Sequence, residues 1–290
     1  MQRIATGRGI RQRAKAGPRV GKLGTNIRQD AIQPYPVEVA SIRLASAFLV
    51  LIPFALRSIR ELPIQQLPYI LLSGLLSTFV PAYLFCMAQV GLSSSIVGVL
   101  NALTPAFTFV FGILLFKQKS KLAQVLGLTT GFVGSALLIL INPKGELVLN
   151  GYAFYVVAAT VCYGLNVNMV KNYLPNVKAV HLTSIAVSVS GVFAFIYLLS
   201  TNWLTVLTQN PKGQSSFLAA VTLGVVGTAF AQWVFNYMLR YSTAVFASSI
   251  TYFIPIVAVM WGVWDGEILS FWHYIGMLCI VGGILILNKF

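Results

Sequence analysis

The chain has 290 residues, of which 57% are hydrophobic and only 9% charged, with a net charge of +14 and a mean hydropathy of +0.81. A soluble domain of this length needs roughly 25% charged residues to dress its surface. Composition therefore excludes an ordinary water-soluble fold and points to lipid as the outer environment.

The first stretch is unlike the rest. Residues 1–34, MQRIATGRGIRQRAKAGPRVGKLGTNIRQDAIQP, hold eight Lys/Arg and one acid and carry half the net charge. Three readings stand: an Arg-rich targeting or membrane-surface segment, a nucleic-acid-binding tail, or a stretch that replaces a helix through a misassigned start or a frameshift. The segment lacks the serines of a transit peptide and has no clear amphipathic face. A short Arg-rich tail is weak evidence for nucleic acid, which is not expected as a partner. The third reading is preferred, and residues 1–36 are set apart as a basic tail.

From there on, apolar runs about as long as a bilayer-crossing helix, roughly 17–25 residues, alternate with short polar breaks. They predict nine helices, at 39–56, 68–89, 93–116, 122–142, 151–171, 180–200, 217–239, 243–264 and 270–288. The breaks hold the charges and the turn-forming pairs Asn142-Pro143 and Asn210-Pro211. Barrel strands are about 10 residues long and alternate apolar with polar. These runs are continuous, so helices are expected, each satisfying its own backbone inside lipid. The fold class is an all-α integral membrane protein.

In chain order, the first helix carries Arg43, with Glu38 just over one turn before it. A guanidinium costs roughly 2.5–3.5 kcal/mol at a helix centre. An interfacial anchor is the plainer reading of Arg43, and an anion contact at a cavity mouth the sharper one. The second helix carries Tyr83. The third carries Asn101, Thr104 and Pro105, and the fourth Gly127, Gly131 and Gly134, which suit close helix packing. Asn166 and Asn168 lie on the fifth. Gln232, Trp233 and Asn236 lie on the seventh, with Gln232 and Asn236 on one face. The eighth carries Thr251, Tyr252 and Pro255. Polar residues in spans face protein or a water-filled cavity, so these are the candidate substrate-site residues. Interhelical bonding is the alternative for each Asn and Gln, and lipid packing for each aromatic. Pro105 and Pro255 each remove a backbone bond and free a carbonyl, as packing kinks or as gates.

Cys86, Cys162 and Cys279 have no metal-ligand spacing and read as small apolar side chains. His181 and His273 sit near helix ends as interfacial residues. The sequence has no HExxH, GxSxG, paired carboxylates or phosphate-binding loop. No catalytic residue, metal or cofactor is expected, and the chain is not read as an enzyme.

The chain also repeats itself. NALTPAFTFVFGILLFKQK at 101–119 parallels TYFIPIVAVMWGVWDGEIL at 251–269, with Pro105 on Pro255 and Gly112 on Gly262. At the same spacing Gly74 falls on Gly224, Thr78 on Thr228, Tyr83 on Trp233 and Phe85 on Phe235. After one dropped residue, Gly127 falls on Gly276 and Gly134 on Gly283. The register holds across three helices, which indicates duplication. Equivalent helices are five apart in the chain, an odd step, so the copies run in opposite directions. Inverted repeats are a recurrent design of secondary transporters, with a site between the halves.

Lys and Arg mark cytoplasmic loops. Alternate loops hold Arg57, Arg60, Lys117, Lys119, Lys121, Lys171, Lys178, Arg240 and Lys289, nine in all, against Lys144 and Lys212 on the other side. This places the C-terminus in the cytoplasm and Asp265 and Glu267 outside. The basic tail would then also lie outside, against the rule, and it occupies the place where the repeat calls for a helix.

The segments PVEVASIRLASAFLVL, SSSIVGVLNALTPAFTFVFGILLFKQK with QVLGLTTGFVGSALLI, and STAVFASSITYFIPIVAVMWGVWDGEIL with HYIGMLCIVGGILILNK resemble the drug/metabolite transporter superfamily, in its EamA-like branch. The resemblance covers about residues 34–290. It implies ten helices in two inverted five-helix repeats, both termini cytoplasmic, and transport of small organic solutes. Residues 37–142 would be the first repeat, lacking its first helix, and 151–290 the second. The acid usual after the proline helix is Glu267 in the second copy, whereas the first reads Lys117-Gln118.

The leading expectation is a secondary transporter in the plasma or inner membrane. It would move small metabolites, such as amino acids or related solutes for export, by alternating access. A truncated, non-transporting paralogue and a membrane-embedded enzyme are the alternatives. No Asp or Glu lies mid-span, so facilitated diffusion or coupling without a membrane carboxylate is expected, with neutral or zwitterionic solutes. The partners are the solute and the lipid bilayer, with a homodimer left open.

Overall fold

The computed structural model describes residues 36–92, 94–140, 151–204, 207, 213–264 and 271–289. The basic tail, the Asn142-Pro143 and Asn210-Pro211 breaks, Lys144, Lys212, Asp265 and Glu267 lie outside the described residues. Every regular element among the described residues is helical. Among the described residues, five helices are long and apolar enough to cross a membrane: α1 (Pro36–Glu61), α2 (Ile64–Gly91), α6 (Ala153–Tyr173), α7 (Ala179–Leu199) and α8 (Gly213–Tyr241). The shorter elements are α3 (Ser94–Asn101), α4 (Thr104–Leu114), α5 (Leu122–Leu140), α9 (Ala244–Ser248), α10 (Phe253–Trp264) and α11 (Phe271–Lys289). Large apolar side chains such as Leu49, Phe54, Leu199 and Leu278 stay exposed, as lipid-facing positions require.

Two predicted spans are broken where sequence reading drew them continuous. The 93–116 run stops at Asn101 and restarts at Thr104, and the 243–264 run passes through a 3-10 turn at Ser249–Tyr252. The cause is local. Pro105 has no N–H for the carbonyl of Asn101, four residues back, and its ring crowds that carbonyl. The Thr104 hydroxyl donates to the Asn101 carbonyl instead, at 2.8 Å. In the second copy the Thr251 hydroxyl donates to the Ser248 carbonyl at 3.0 Å.

The duplication is visible as paired contacts. A Cβ on Gly127 would come within 2.8 Å of the Gly283 carbonyl oxygen, and one on Gly283 within 2.6 Å of the Gly127 oxygen. The repeat-equivalent pair does the same: Gly134 against the Gly276 oxygen at 2.7 Å, and Gly276 against the Gly134 oxygen at 3.1 Å. Residue 127 meets 283 while 134 meets 276, so the equivalent helices α5 and α11 are antiparallel. That is the inversion expected from the odd helix step. Small residues permit such close backbone approach.

A second set of contacts obeys the same relation. Gly74 of α2 abuts the Ala186 carbonyl of α7, and Gly224 of α8 abuts the Arg43 carbonyl of α1. The repeat thus maps Arg43 onto Ala186. α1 and α7 also pack against each other, through Gly191 on Phe48 and a 3.1 Å contact between the Ser58 and Ser184 hydroxyls. His181, expected at an interface, is largely buried there. Its Nδ1 lies 2.7 Å from the Ser58 hydroxyl and its Nε2 3.2 Å from Glu61.

Candidate functional site

Both α2 and α8 contain a π-helical turn near the midpoint, at Leu75–Phe79 and Val225–Phe230. The two turns occupy equivalent places in the repeats, each directly after its packing glycine, Gly74 or Gly224. A π turn inserts one residue into the helix and is frequent at functional sites. Here residues of both turns face a small cavity of about 80 Å³, lined by Ser77 and Thr78 from one copy and Gly227 and Thr228 from the other. Ala82 and its repeat-equivalent Gln232 also line it. The cavity therefore sits between the two copies, at the depth of the helix midpoints.

Arg43 also reaches this cavity, and its Nε donates to the Thr228 hydroxyl at 2.7 Å. Glu38, expected near Arg43, faces the Tyr197 hydroxyl at 3.5 Å instead. The Lys/Arg–carboxylate pair among the described residues is Arg57–Glu61, and it does not involve Arg43. A fixed positive charge thus lines the small cavity, the place the sharper of the two sequence readings of Arg43 gave it.

A larger chamber of about 590 Å³ adjoins the small one, sharing Tyr163, Gly227 and Gln232 with it. Its volume falls in the range of small-molecule sites, about 300–1,000 Å³. The walls are mostly apolar, with Val226, Phe230, Phe235 and Met238 from α8. Thr104, Asn166, Gln232, Ser248 and Thr251 add polar groups. Asn166 is almost wholly buried, and its Oδ1 has no hydrogen-bond partner.

The chamber lies on one side of the molecule for a reason visible in the repeat. In the first copy α6 covers α2, with Tyr163 stacked on Phe85 at 5.9 Å and Val156 packed on Ala88. The equivalent residues of α8, Phe235 and Met238, instead line the chamber. Beyond them Phe230, Trp233, Tyr237 and Tyr241 form an exposed chain of ring contacts along α8.

Of the sequence candidates, Thr104, Asn166, Gln232 and Thr251 meet in the chamber, and Arg43 and Gln232 in the small cavity. The others line neither cavity. Tyr83 meets the Ser41 hydroxyl at 2.9 Å. Asn101 supplies the carbonyl capped by Thr104, and Pro105 and Pro255 lie in the segments restarting after the breaks. Trp233 faces outward among aromatic rings. Asn236 donates to Thr183 on α7 at 2.9 Å, so it does not share the chamber with Gln232. Asn168 donates to the carbonyls of Thr108 and Gly164, at 2.7 and 2.9 Å. Tyr252 is fully buried against Gly131, its hydroxyl donating to the Leu128 carbonyl at 3.1 Å. Ser77, Thr78, Tyr163 and Thr228 were not singled out as site residues, although the pairing of Thr78 with Thr228 in the repeat carried the signal.

Known proteins bear the same pattern. The profile of the EamA-like transporter family matches residues 31–140 and again 150–289. The chain is 25% identical over 269 residues to the uncharacterized inner membrane transporter YedA of Escherichia coli strain K12, covering 88% of this chain and 83% of that protein. The YedA proteins of strains O6:H1 and O157:H7 match equally. A solved crystal structure superposes with a TM-score of 0.66 at 19% identity, covering 92% of this chain and 91% of that one, which is a likeness of fold. With both halves matched and the helical architecture shared, the chain belongs to the EamA-like transporter family.

Proposed function

We propose that this chain is a secondary transporter of the inner membrane that moves small organic solutes, amino acids and related compounds among them, by alternating access. The observation that carries the reading is the chamber of about 590 Å³ opening beside the junction of the two inverted copies. Sites between inverted repeats are reached alternately when one repeat rocks against the other. The π turns and the breaks before Pro105 and Pro255 supply points in four helices where backbone geometry can change. Among the described residues, no Asp or Glu lines the chamber or the small cavity. Movement is read as facilitated diffusion, or coupling without a membrane carboxylate, and in the first case export follows whenever the cytoplasmic pool is the larger.

Solute counterflow in proteoliposomes tests this. Preloaded vesicles should accumulate labelled solute transiently and saturably, and abolishing a pH gradient should leave the rate unchanged. Collapse of uptake with the gradient would sink the uncoupled mechanism. The uncovered side of α8 favours a second reading, in which the chamber closes only with a further apolar helix and the chain alone does not transport. Counterflow by the purified chain excludes that reading.

A further inference from the structure

We propose that Arg43 is an anion subsite, and that the solute is an organic monocarboxylate whose apolar body fills the adjoining chamber. The inference rests on the transport reading for its substrate but on separate observations for its chemistry.

Arg43 is a permanent cation, with five N–H donors in a planar fork that matches a carboxylate. Its Nε is held by Thr228, which fixes the plane of the guanidinium. No carboxylate among the described residues pairs with it. A charge at this depth is costly unless it faces a counter-ion or a water-filled cavity. The cavity it faces is small and polar, with hydroxyls from Ser77, Thr78 and Thr228 around it. At about 80 Å³ it holds a few waters or one carboxylate, not a second large polar group. Where the two cavities join at Tyr163, Gly227 and Gln232, the lining turns from polar to apolar. The buried, unpartnered Oδ1 of Asn166 in the chamber accepts from a donor on the solute body. A carboxylate head and an apolar body carrying one N–H or O–H group match this sequence of surfaces.

The repeat makes the assignment sharper. Thr78 and Thr228 are equivalent, but the equivalent of Arg43 is Ala186. The cavity thus has a cation on one side only, so it orients a solute with a single anionic end.

Three probes of nearly equal shape separate charge from packing: 3-phenylpropionate, 3-phenylpropanamide and 3-phenylpropylamine. Their binding to the full chain is measured calorimetrically in phosphatidylcholine nanodiscs, where no anionic lipid competes. The carboxylate is expected to bind at least tenfold more tightly than the amide, and the amine more weakly than both. Arg43→Gln should bring carboxylate and amide within about twofold, and Arg43→Lys should keep part of the preference. Equal binding of all three probes by the unmodified chain overturns the proposal. So does a carboxylate preference that survives Arg43→Gln.

Arg43 also ties α1 to α8, so the variants can misfold. Dicarbonyl modification of the unmodified chain covers that case. Read by peptide mass, 3-phenylpropionate should slow the reaction of phenylglyoxal at Arg43 and leave Arg57 unaffected; absence of protection at Arg43 overturns the subsite. Counterflow is scored separately. Carboxylate binding through Arg43 without counterflow of any solute refutes the transport reading and leaves the subsite standing. Counterflow of other solutes without carboxylate preference refutes the subsite alone.

Discussion

Two asparagines on one helix show how little residue type says about role. Asn166 and Asn168 are both buried in α6. Asn168 spends its amide on two carbonyls and accepts from Gln118 at 3.1 Å. Asn166 keeps an acceptor unsatisfied beside the chamber. A buried acceptor without a partner costs about 1–3 kcal/mol. Asn166→Leu is therefore expected to raise stability by about 1 kcal/mol and to cut counterflow about tenfold, as loss of one solute hydrogen bond would. Asn168→Leu should cost about 2–3 kcal/mol. Thermal unfolding in detergent, set beside counterflow for each variant, tests the contrast. The sequence marked both residues as candidates because both are polar in a span. It could not separate them, because the difference lies in whether a partner helix offers a carbonyl at hydrogen-bond distance.

At the scale of elements, the glycine seam and the π turns make different demands. The Gly127–Gly283 and Gly134–Gly276 approaches leave no room for a side chain. Gly134→Val and Gly283→Val should each destabilise by about 1–3 kcal/mol, and by similar amounts, because the repeat makes them equivalent. Unequal losses would argue against the pairing. A π turn contains one residue too many for an α-helix. Deleting Leu75, an exposed member of the α2 turn that lines neither cavity, should restore a regular α-helix with both flanks keeping their faces. The far-UV circular dichroism should hardly change, while counterflow disappears. A deletion variant that transports normally would show that the turn is incidental. Helix positions and the glycine packing were legible from apolar run length and from the spacing of the repeat. The π turns were not, because no residue type marks them. They follow directly on Gly74 and Gly224, whose close tertiary contacts are themselves visible only in the fold.

For the whole molecule, the inverted duplication was legible across three helices, since equal spacings between glycines, prolines and threonines survive where most other residues have changed; the match of α1 to α7 came only from the glycine contacts. The depth of Arg43 was not. Counting residues from the helix start left an interfacial anchor and a cavity-mouth contact both open, and the contact with Thr228 sets it beside the middle of α8. Alternating access makes a prediction at this scale. With Cys86, Cys162 and Cys279 replaced by Ala, Thr251→Cys in the chamber should react with a membrane-impermeant maleimide added from either side. Labelling from one side only would argue against alternation.

The pairing of contacts also bears on energetics. If the two copies were identical, turning the molecule over would exchange its inward-open and outward-open forms, and the two would have equal free energy. The resting equilibrium constant would be one, set by geometry with no tuning. Residues that differ between the copies move it, and two such pairs line the small cavity or abut it: Arg43 opposite Ala186, and Gln232 opposite Ala82. About 1.4 kcal/mol of imbalance between them would give a ten-to-one population, and a solute that contacts them unequally in the two forms shifts that ratio by its difference in affinity. The departures from symmetry are where the bias of the resting state resides.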